Sequence, residues 1–234
     1  VVLADVRQQI EAGARHVTFG DPDFLNGPTH ALAVARDLQA EWPDVTFDFT
    51  AKIEHLLRHR RHLPALREAG CLFIVSAAES LSDTVLAHLE KGHTRDDIAL
   101  ALRLTREAGI ALRPTWVAFT PWTSLDDHRA WLDYLEAEHL IDAVDPVQYG
   151  LRLLVPPGSL LLESAGHRPH LGALEHATLS YRWTHPDPRM DALQAETAQA
   201  VARAVEETAD APVIFDRVRA QAAAPGASRR ASGL

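Results

Sequence analysis

One cysteine, Cys71, and one methionine, Met190, are the only sulfur-bearing residues in this 234-residue chain. A lone cysteine excludes an internal disulfide and fits a reducing compartment, so a cytoplasmic protein is expected. Positive charge is also scarce: 23 Lys and Arg stand against 32 Asp and Glu, a formal net charge of −9. Such a chain has no global attraction for nucleic acid or anionic lipid. Long apolar runs are missing as well. The richest stretch, residues 151–162, is broken by Arg152, Pro156, Pro157 and Gly158, so no membrane span is expected. No signal-peptide pattern opens the chain. Helical periodicity is already running at Val1, and the start reads as a cut made inside a fold. What is there is ordinary for a folded protein: 47% hydrophobic and 24% charged residues, enough for one large domain or two small ones.

Glu-Ala-Gly occurs three times, at Glu11-Ala12-Gly13, Glu68-Ala69-Gly70 and Glu107-Ala108-Gly109. Each closes a helix-like stretch and opens a strand-like one, and glycine suits the left-handed residue that ends a helix. Strands are expected at 15–20, 45–50, 71–76, 111–119 and near 144–151. Helices are expected between them: Ala31, Leu32, Ala35 and Leu38 share one face, as do Ile98, Leu102 and Thr105, and Trp131, Leu132 and Leu135. Thr94-Arg95-Asp96-Asp97 and Ser124-Leu125-Asp126-Asp127 have the form of helix-capping boxes. Strands alternating with helices predict an α/β fold with a parallel sheet and right-handed crossovers. Beyond about residue 165 the pattern weakens. Residues 167–188 read as irregular, 190–208 as a helix, and 225–234 as a disordered tail. The expected division is a barrel over 1–164, an extension over 165–224 and the tail.

In such sheets ligands sit at the carboxyl ends of the strands. Those ends carry Asp21 and Asp23, Lys52 and Glu54, Ser76 and Glu79, Thr115 and Thr120, and Gln148 and Arg152. Phe19-Gly20-Asp21-Pro22-Asp23 is either a ligand-holding turn, with a carboxylate for an ammonium group, or a loop stiffened by Pro22. Ser76 and Glu79 suit the hydroxyls of a sugar, while Ser80 or Ser82 caps a helix. Trp116 and Trp122 flank the end of one strand, as pocket wall for a substrate or as core. His55, His59 and His62 have helical spacing but sit among Arg58, Arg60 and Arg61, and read as a solvated basic face. His167, His170, His176 and His185 are scattered, and no metal-ligating set is expected.

The run from Val75 through Ser80, Val85-Leu86, Lys91-Gly92 and then Glu107-Ala108-Gly109-Ile110 resembles the fourth-strand region of radical S-adenosylmethionine (radical SAM) proteins. Gly20-Asp21-Pro22 is similar to that family's second-strand Gly-Gly-Glu-Pro motif. The resemblance covers about residues 1–162. It implies a partial (β/α)6 TIM-like barrel without its first strand, plus a helical and irregular C-terminal extension. Asp21-Pro22-Asp23-Phe24 and Pro156-Pro157-Gly158-Ser159 further resemble a subgroup with a cysteine-rich C-terminal tail, which is not present in this sequence.

By that resemblance Gly20 and Asp21 receive the methionine amino group of SAM, with Asp23 sharing the task. Ser76 and Glu79 lie near its ribose and carboxylate end, Val117 and Ala118 make backbone contacts to adenine, and Lys52 and Arg113 pair with its carboxylate or, equally, form a structural ion pair or a substrate contact. Thr120-Pro121-Trp122 departs from the usual turn at the adenine strand. Trp116, Trp122, Gln148 and Arg152 are assigned to a small-molecule or peptide substrate. The implied cofactors are SAM and a [4Fe–4S] cluster, served by an electron donor. The family holds its cluster with Cys-x3-Cys-x2-Cys, which this chain lacks; Cys71 is no substitute, and the cluster loop is expected upstream of Val1, leaving this fragment inactive alone. Two other readings stay open: a metal- or Schiff-base-dependent βα-barrel lyase or hydrolase using Lys52 or Asp21 and Asp23, and a non-catalytic barrel that binds a ligand or partner.

Overall fold

The computed structural model describes residues 1–164, 166 and 168–223. The tail expected to be disordered, 225–234, and His167 lie outside the described residues. The chain divides into two compact units, the first made of Val1–Ala78 and His93–Thr115, the second of Glu79–Gly92 and the chain from Trp116 onward.

In the first unit, helix α1 (Val2–Glu11) leads to strand β1 (His16–Phe19), α2 (Pro28–Glu41) to β2 (Thr46–Thr50), and α3 (Ile53–Arg58) with α4 (Leu63–Glu68) to β3 (Cys71–Glu79). Later α6 (Arg95–Glu107) leads to β4 (Ala111–Trp116); the short α5 (Asp83–His88) between β3 and α6 lies in the second unit. The strands form one parallel sheet in chain order, β1-β2-β3-β4. The repeated glycines do what the pattern predicts: Gly13, Gly70 and Gly109 take φ of 104°, 101° and 74° directly after α1, α4 and α6. At Gly70 a Cβ would also come within 3.0 Å of the Val45 carbonyl, so the close approach of the turn to the chain entering β2 requires glycine as well. The capping box at Thr94 forms in full.

The sheet has two unlike faces, and the period-2 alternation of β2, Thr46-Phe47-Asp48-Phe49-Thr50, shows both. Phe47 and Phe49 are buried on one face with Phe19 and Ile74. Phe24 lays its ring against Phe19 and Phe49 at centroid distances of 4.9 and 4.7 Å. The other face carries His16, Thr18, Thr46 and Asp48, because the register pairs His16 with Thr46 and Thr18 with Asp48.

The second unit is less regular. It holds α5, α7 (Leu125–Ala137), the antiparallel hairpin of β5 (Leu171–Glu175) and β6 (Ser180–Trp183), and the helices α8 (Pro188–Glu206) and α9 (Ala211–Ala223). The hairpin occupies a stretch expected to be irregular. The strand expected near 144–151 is instead a 3-10 turn, Pro146–Gly150. Pro146 has no N–H for a ladder, and Asp145 accepts a bond from the Val147 N–H that nucleates the turn. Parallel pairing reappears just beyond it: Phe119 donates to the Leu151 carbonyl at 3.0 Å and accepts from Leu153 at 2.8 Å. Gly150 lies against α8, where a Cβ would meet Ala198 at 3.0 Å. Among the described residues no helix is long and apolar enough to cross a membrane.

Candidate functional site

β1 is followed by Gly20, where an added Cβ would meet no atom within 4 Å outside its chain neighbours. The protein's own packing therefore does not demand glycine there, and the backbone is open to close approach. Asp21 follows, exposed; its Oδ1 accepts from the Asp23 backbone N–H at 2.8 Å, which folds the turn. Asp23 is held by the protein. Its Oδ2 lies 2.7 Å from His55 Nδ1, a close contact without the direction of a straight hydrogen bond, and 4.0 Å from Lys52 Nζ. Its Oδ1 accepts from the Lys52 backbone at 3.3 Å. Asp23 thus fastens the loop after β1 to the start of α3, while the Lys52 side chain stays 67% exposed. Ser76 is fully buried and donates to the Ala51 carbonyl at 2.6 Å. His59 and His62 stack along their turn, where modest burial and neighbouring cations lower their pKa values.

The polar face of the sheet holds a cluster that the strand-end reading passed over. Asp48, only 3% exposed, accepts through Oδ1 from the Thr18 hydroxyl at 2.6 Å and meets His16 Nε2 at 2.9 Å. His16 Nδ1 meets the Thr46 hydroxyl at 2.7 Å. One strand further, Phe73 is the register partner of Asp48, and the His16 ring stacks on it at 5.7 Å. Arg113, on β4, lays its guanidinium over the same ring at 4.5 Å. The sequence signal for this row was available: an aspartate between two phenylalanines inside a strand cannot share their face.

In the second unit Glu79 has φ of 65°, a left-handed conformation that costs energy in a residue with a Cβ. Its carboxylate accepts from Lys91 Nζ at 3.0 Å, and its carbonyl accepts from the Val117 N–H at 2.9 Å. The Lys91-Gly92 element of the sequence pattern therefore meets Glu79 directly. Ala118 is buried and Val117 half-buried. Trp116 is packed in the core near Trp131, and its backbone N–H donates to Gln148 Oε1 at 2.8 Å. Trp122 stacks on His88 at 4.3 Å and donates to the Gly166 carbonyl. Arg152 pairs with Asp191 at 2.8 Å, donates to the Trp183 carbonyl and covers the Trp183 ring. Gln148 and Arg152 are both bonded within their own unit.

Cys71 is buried, and burial, reinforced by the Asp48 carboxylate and opposed by Arg67, pushes its thiol up to about 12. It stays a protonated thiol that donates to the Phe73 carbonyl. A cluster ligand must be a thiolate, so this residue does not fit an iron–sulfur cluster.

Among solved structures the chain is similar to the cobalamin-dependent S-adenosylmethionine radical enzyme OxsB with aqua-cobalamin and S-adenosylmethionine bound, with a TM-score of 0.67 and 17% identity over 82% of this chain. It spans 34% of that protein's length. It is also similar to the radical S-adenosylmethionine methyltransferase TsrM from Kitasatospora setae with cobalamin and [4Fe–4S] cluster bound, with a TM-score of 0.50 and 18% identity over 59% of this chain and 26% of that one. A third likeness is to Elp3 from the archaeon Methanocaldococcus infernus, with a TM-score of 0.53 and 11% identity over 86% of this chain and 48% of that one. No family model and no curated protein matches the chain. The fold is therefore the α/β partial TIM-like barrel found in radical SAM enzymes.

Proposed function

We propose that this chain is the SAM- and substrate-holding part of a radical SAM enzyme. The observation that carries the reading is the convergence of two independent signals. The ordered motifs from Gly20-Asp21-Pro22 to Glu107-Ala108-Gly109 resemble the family, and the fold is the one shared with OxsB and TsrM. As the family resemblance implies, a cluster with SAM would supply radical chemistry on a substrate, and the protein's part would be to bind, orient and exclude water. The cluster does not fit the 234 residues, whose single thiol is buried and protonated. Any cluster in the working enzyme takes its thiolates from outside this sequence. The cobalamin of OxsB and TsrM is left with those proteins, since the present chain spans 34% of one and 26% of the other.

Toward SAM, the residue best suited to receive the ammonium group is Asp21. It is exposed beside an open glycine, and its Oδ2 accepts no bond from the described residues. Asp23, engaged by His55 and Lys52, is better suited to hold the loop in place. Glu79 fixes the turn that Val117 continues, and the exposed Lys52 head is suited to the SAM carboxylate.

The test uses the full-length protein, reconstituted anaerobically, with iron and sulfide content checked before SAM binding is measured by calorimetry. Removal of a charge-assisted hydrogen bond costs about 1.5–3 kcal/mol, so Asp21→Ala is expected to weaken SAM binding by roughly 10- to 100-fold with cluster content unchanged. A parent protein that holds no cluster and binds no SAM overturns the reading. An Asp21→Ala variant that binds SAM like the parent overturns the assignment of Asp21.

A further inference from the structure

The row across the polar face of the first unit's sheet contains two charged groups that the protein leaves incomplete. Burying a carboxylate is costly unless its oxygens are hydrogen-bonded. Asp48 is almost wholly buried, and both of its contacts fall on Oδ1: the Thr18 hydroxyl and His16 Nε2. Its Oδ2 accepts no hydrogen bond from any described residue and is not among the fully buried atoms without a partner, so it is open to a group arriving from solvent. Two strands away on the same face, Arg113 lies over the Phe73 ring and makes no hydrogen bond or ion pair with a described residue, in a chain with 32 acidic residues. If the row served only to join β1 to β2, the Thr18–Asp48 and His16–Thr46 bonds would complete it, and nothing would call for the Asp48 Oδ2 or for an arginine stacked over Phe73.

We propose that this row is a binding subsite for a small zwitterion. The anionic group of the ligand, a carboxylate or a phosphate, pairs with the Arg113 guanidinium, and its amino group donates to Asp48 Oδ2. Phe73 lies between the two groups. Neighbouring strands stand about 4.8 Å apart, and the guanidinium reaches back over the Phe73 ring next to the Asp48 strand. A ligand with two or three carbons between amine and anion matches that reach. His16 and Thr18 are positioning residues: they hold Oδ1 and so aim Oδ2. Arg113 is thereby moved from the SAM carboxylate to the substrate. The proposal rests on the radical SAM reading only in calling this ligand the substrate; the binding itself requires neither cluster nor SAM.

The probes are phosphoethanolamine and 4-aminobutanoate, with ethanolamine, inorganic phosphate and butanoate as their halves. Each is titrated into full-length protein and followed by ligand-observed NMR at millimolar concentrations. At least one zwitterion is expected to bind about tenfold or more tightly than either of its halves, the gain that one added charge-assisted contact supplies. Arg113→Gln, at an exposed position, is expected to fold normally and to reduce the zwitterion to the affinity of its amine. Asp48→Asn is expected to reduce it to the affinity of its anion. Circular dichroism checks both folds; should Asp48→Asn unfold, Arg113→Gln carries the test alone. The proposal is overturned if neither zwitterion binds, if the halves bind as tightly as the whole, or if Arg113→Gln binds like the parent. SAM affinity, measured on the same variant, is expected to be unchanged. Its loss in Arg113→Gln would return this residue to the cofactor and overturn the subsite while leaving the radical SAM reading intact. Failure of the parent to bind SAM, with zwitterion binding retained, would do the reverse.

Discussion

The two units are built around aromatic clusters of opposite character. In the first, Phe19, Phe24, Phe47 and Phe49 pack at centroid distances of 4.7–6.3 Å and bring no polar atom with them. In the second, His128 lies between Phe119 and Trp131, and Trp131 in turn meets Trp116 and Tyr149. The Nε1 atoms of Trp116 and Trp131 and the Tyr149 hydroxyl are buried without a hydrogen-bond partner among the described residues, and neither His128 nitrogen makes a well-directed bond. Desolvating a polar group without a partner costs free energy. The phenylalanine cluster keeps all of its apolar stabilisation, whereas the second cluster loses part of it. The lesson is that similar aromatic burial gives unequal stability, and only the second cluster responds to pH.

Truncation tests that contrast most strongly. Phe49→Ala and Trp131→Ala each open a cavity in a packed core and are expected to cost about 3–5 kcal/mol. Trp131→Phe separates the two cores: it keeps a ring but removes an N–H that bonds to nothing described, and is expected to cost only about 1–2 kcal/mol. Urea unfolding monitored by circular dichroism measures all three. If Trp131→Phe costs as much as Trp131→Ala, the indole N–H is hydrogen-bonded after all, and the two clusters are alike.

His128 gives the next largest effect. Burial, only partly offset by the Ala118 backbone, lowers its pKa from 6.5 to about 4. The unfolded chain takes up this proton below about pH 6.5, while the folded chain resists until about pH 4. Stability from this group is thus complete above about pH 6.5 and falls as pH drops toward 4. Between about pH 6.5 and pH 5 the loss is about 2 kcal/mol at ~1.4 kcal/mol per pH unit. His128→Leu is expected to remove that portion of the acid sensitivity. Unfolding at about pH 7 and about pH 5 measures it, and an unchanged pH difference in the variant would show that the ring is not buried neutral.

The repeating half of the fold was legible because its signals are local. Glu-Ala-Gly fixed three helix ends, and Gly13, Gly70 and Gly109 take the positive φ that the pattern requires. The stretch at 144–151 misled because its apolar residues suit a strand, while Pro146 and the Asp145 side chain favour a 3-10 turn. The hairpin at Leu171–Glu175 and Ser180–Trp183 lacks both clear alternation and a tight turn dipeptide, so no local pattern announced it. At the candidate site, residue type at strand ends singles out Asp21, Asp23 and Glu79 as candidates. It could not show that Asp23 is engaged by His55 and Glu79 by Lys91, since those partners are set by tertiary contact. Asp48 and Arg113 had the opposite fate. Asp48 was passed over because it lies within a strand, and Arg113 was noticed without its neighbour.

The smallest effect is expected where the two units agree. Each has a helix that begins with a complete capping box: Thr94 with Asp97 at the start of α6, and Ser124 with Asp127 at the start of α7. In both, the hydroxyl accepts from the backbone N–H three residues on, at 3.3 Å for Thr94 and 3.0 Å for Ser124, and the aspartate reaches back to the cap N–H at 2.9 Å. The cap acts only on the first turn, so the nature of the core behind it should not matter. Thr94→Ala and Ser124→Ala are each expected to cost about 1 kcal/mol, and Thr94→Gly and Ser124→Gly only a few tenths. Equal losses in the two units would place the difference between them in the cores alone. A loss at Ser124 several times that at Thr94 would mean that the start of α7, four residues before His128, is strained by the cluster it carries, and that the contrast between the units begins at the backbone and not at the rings.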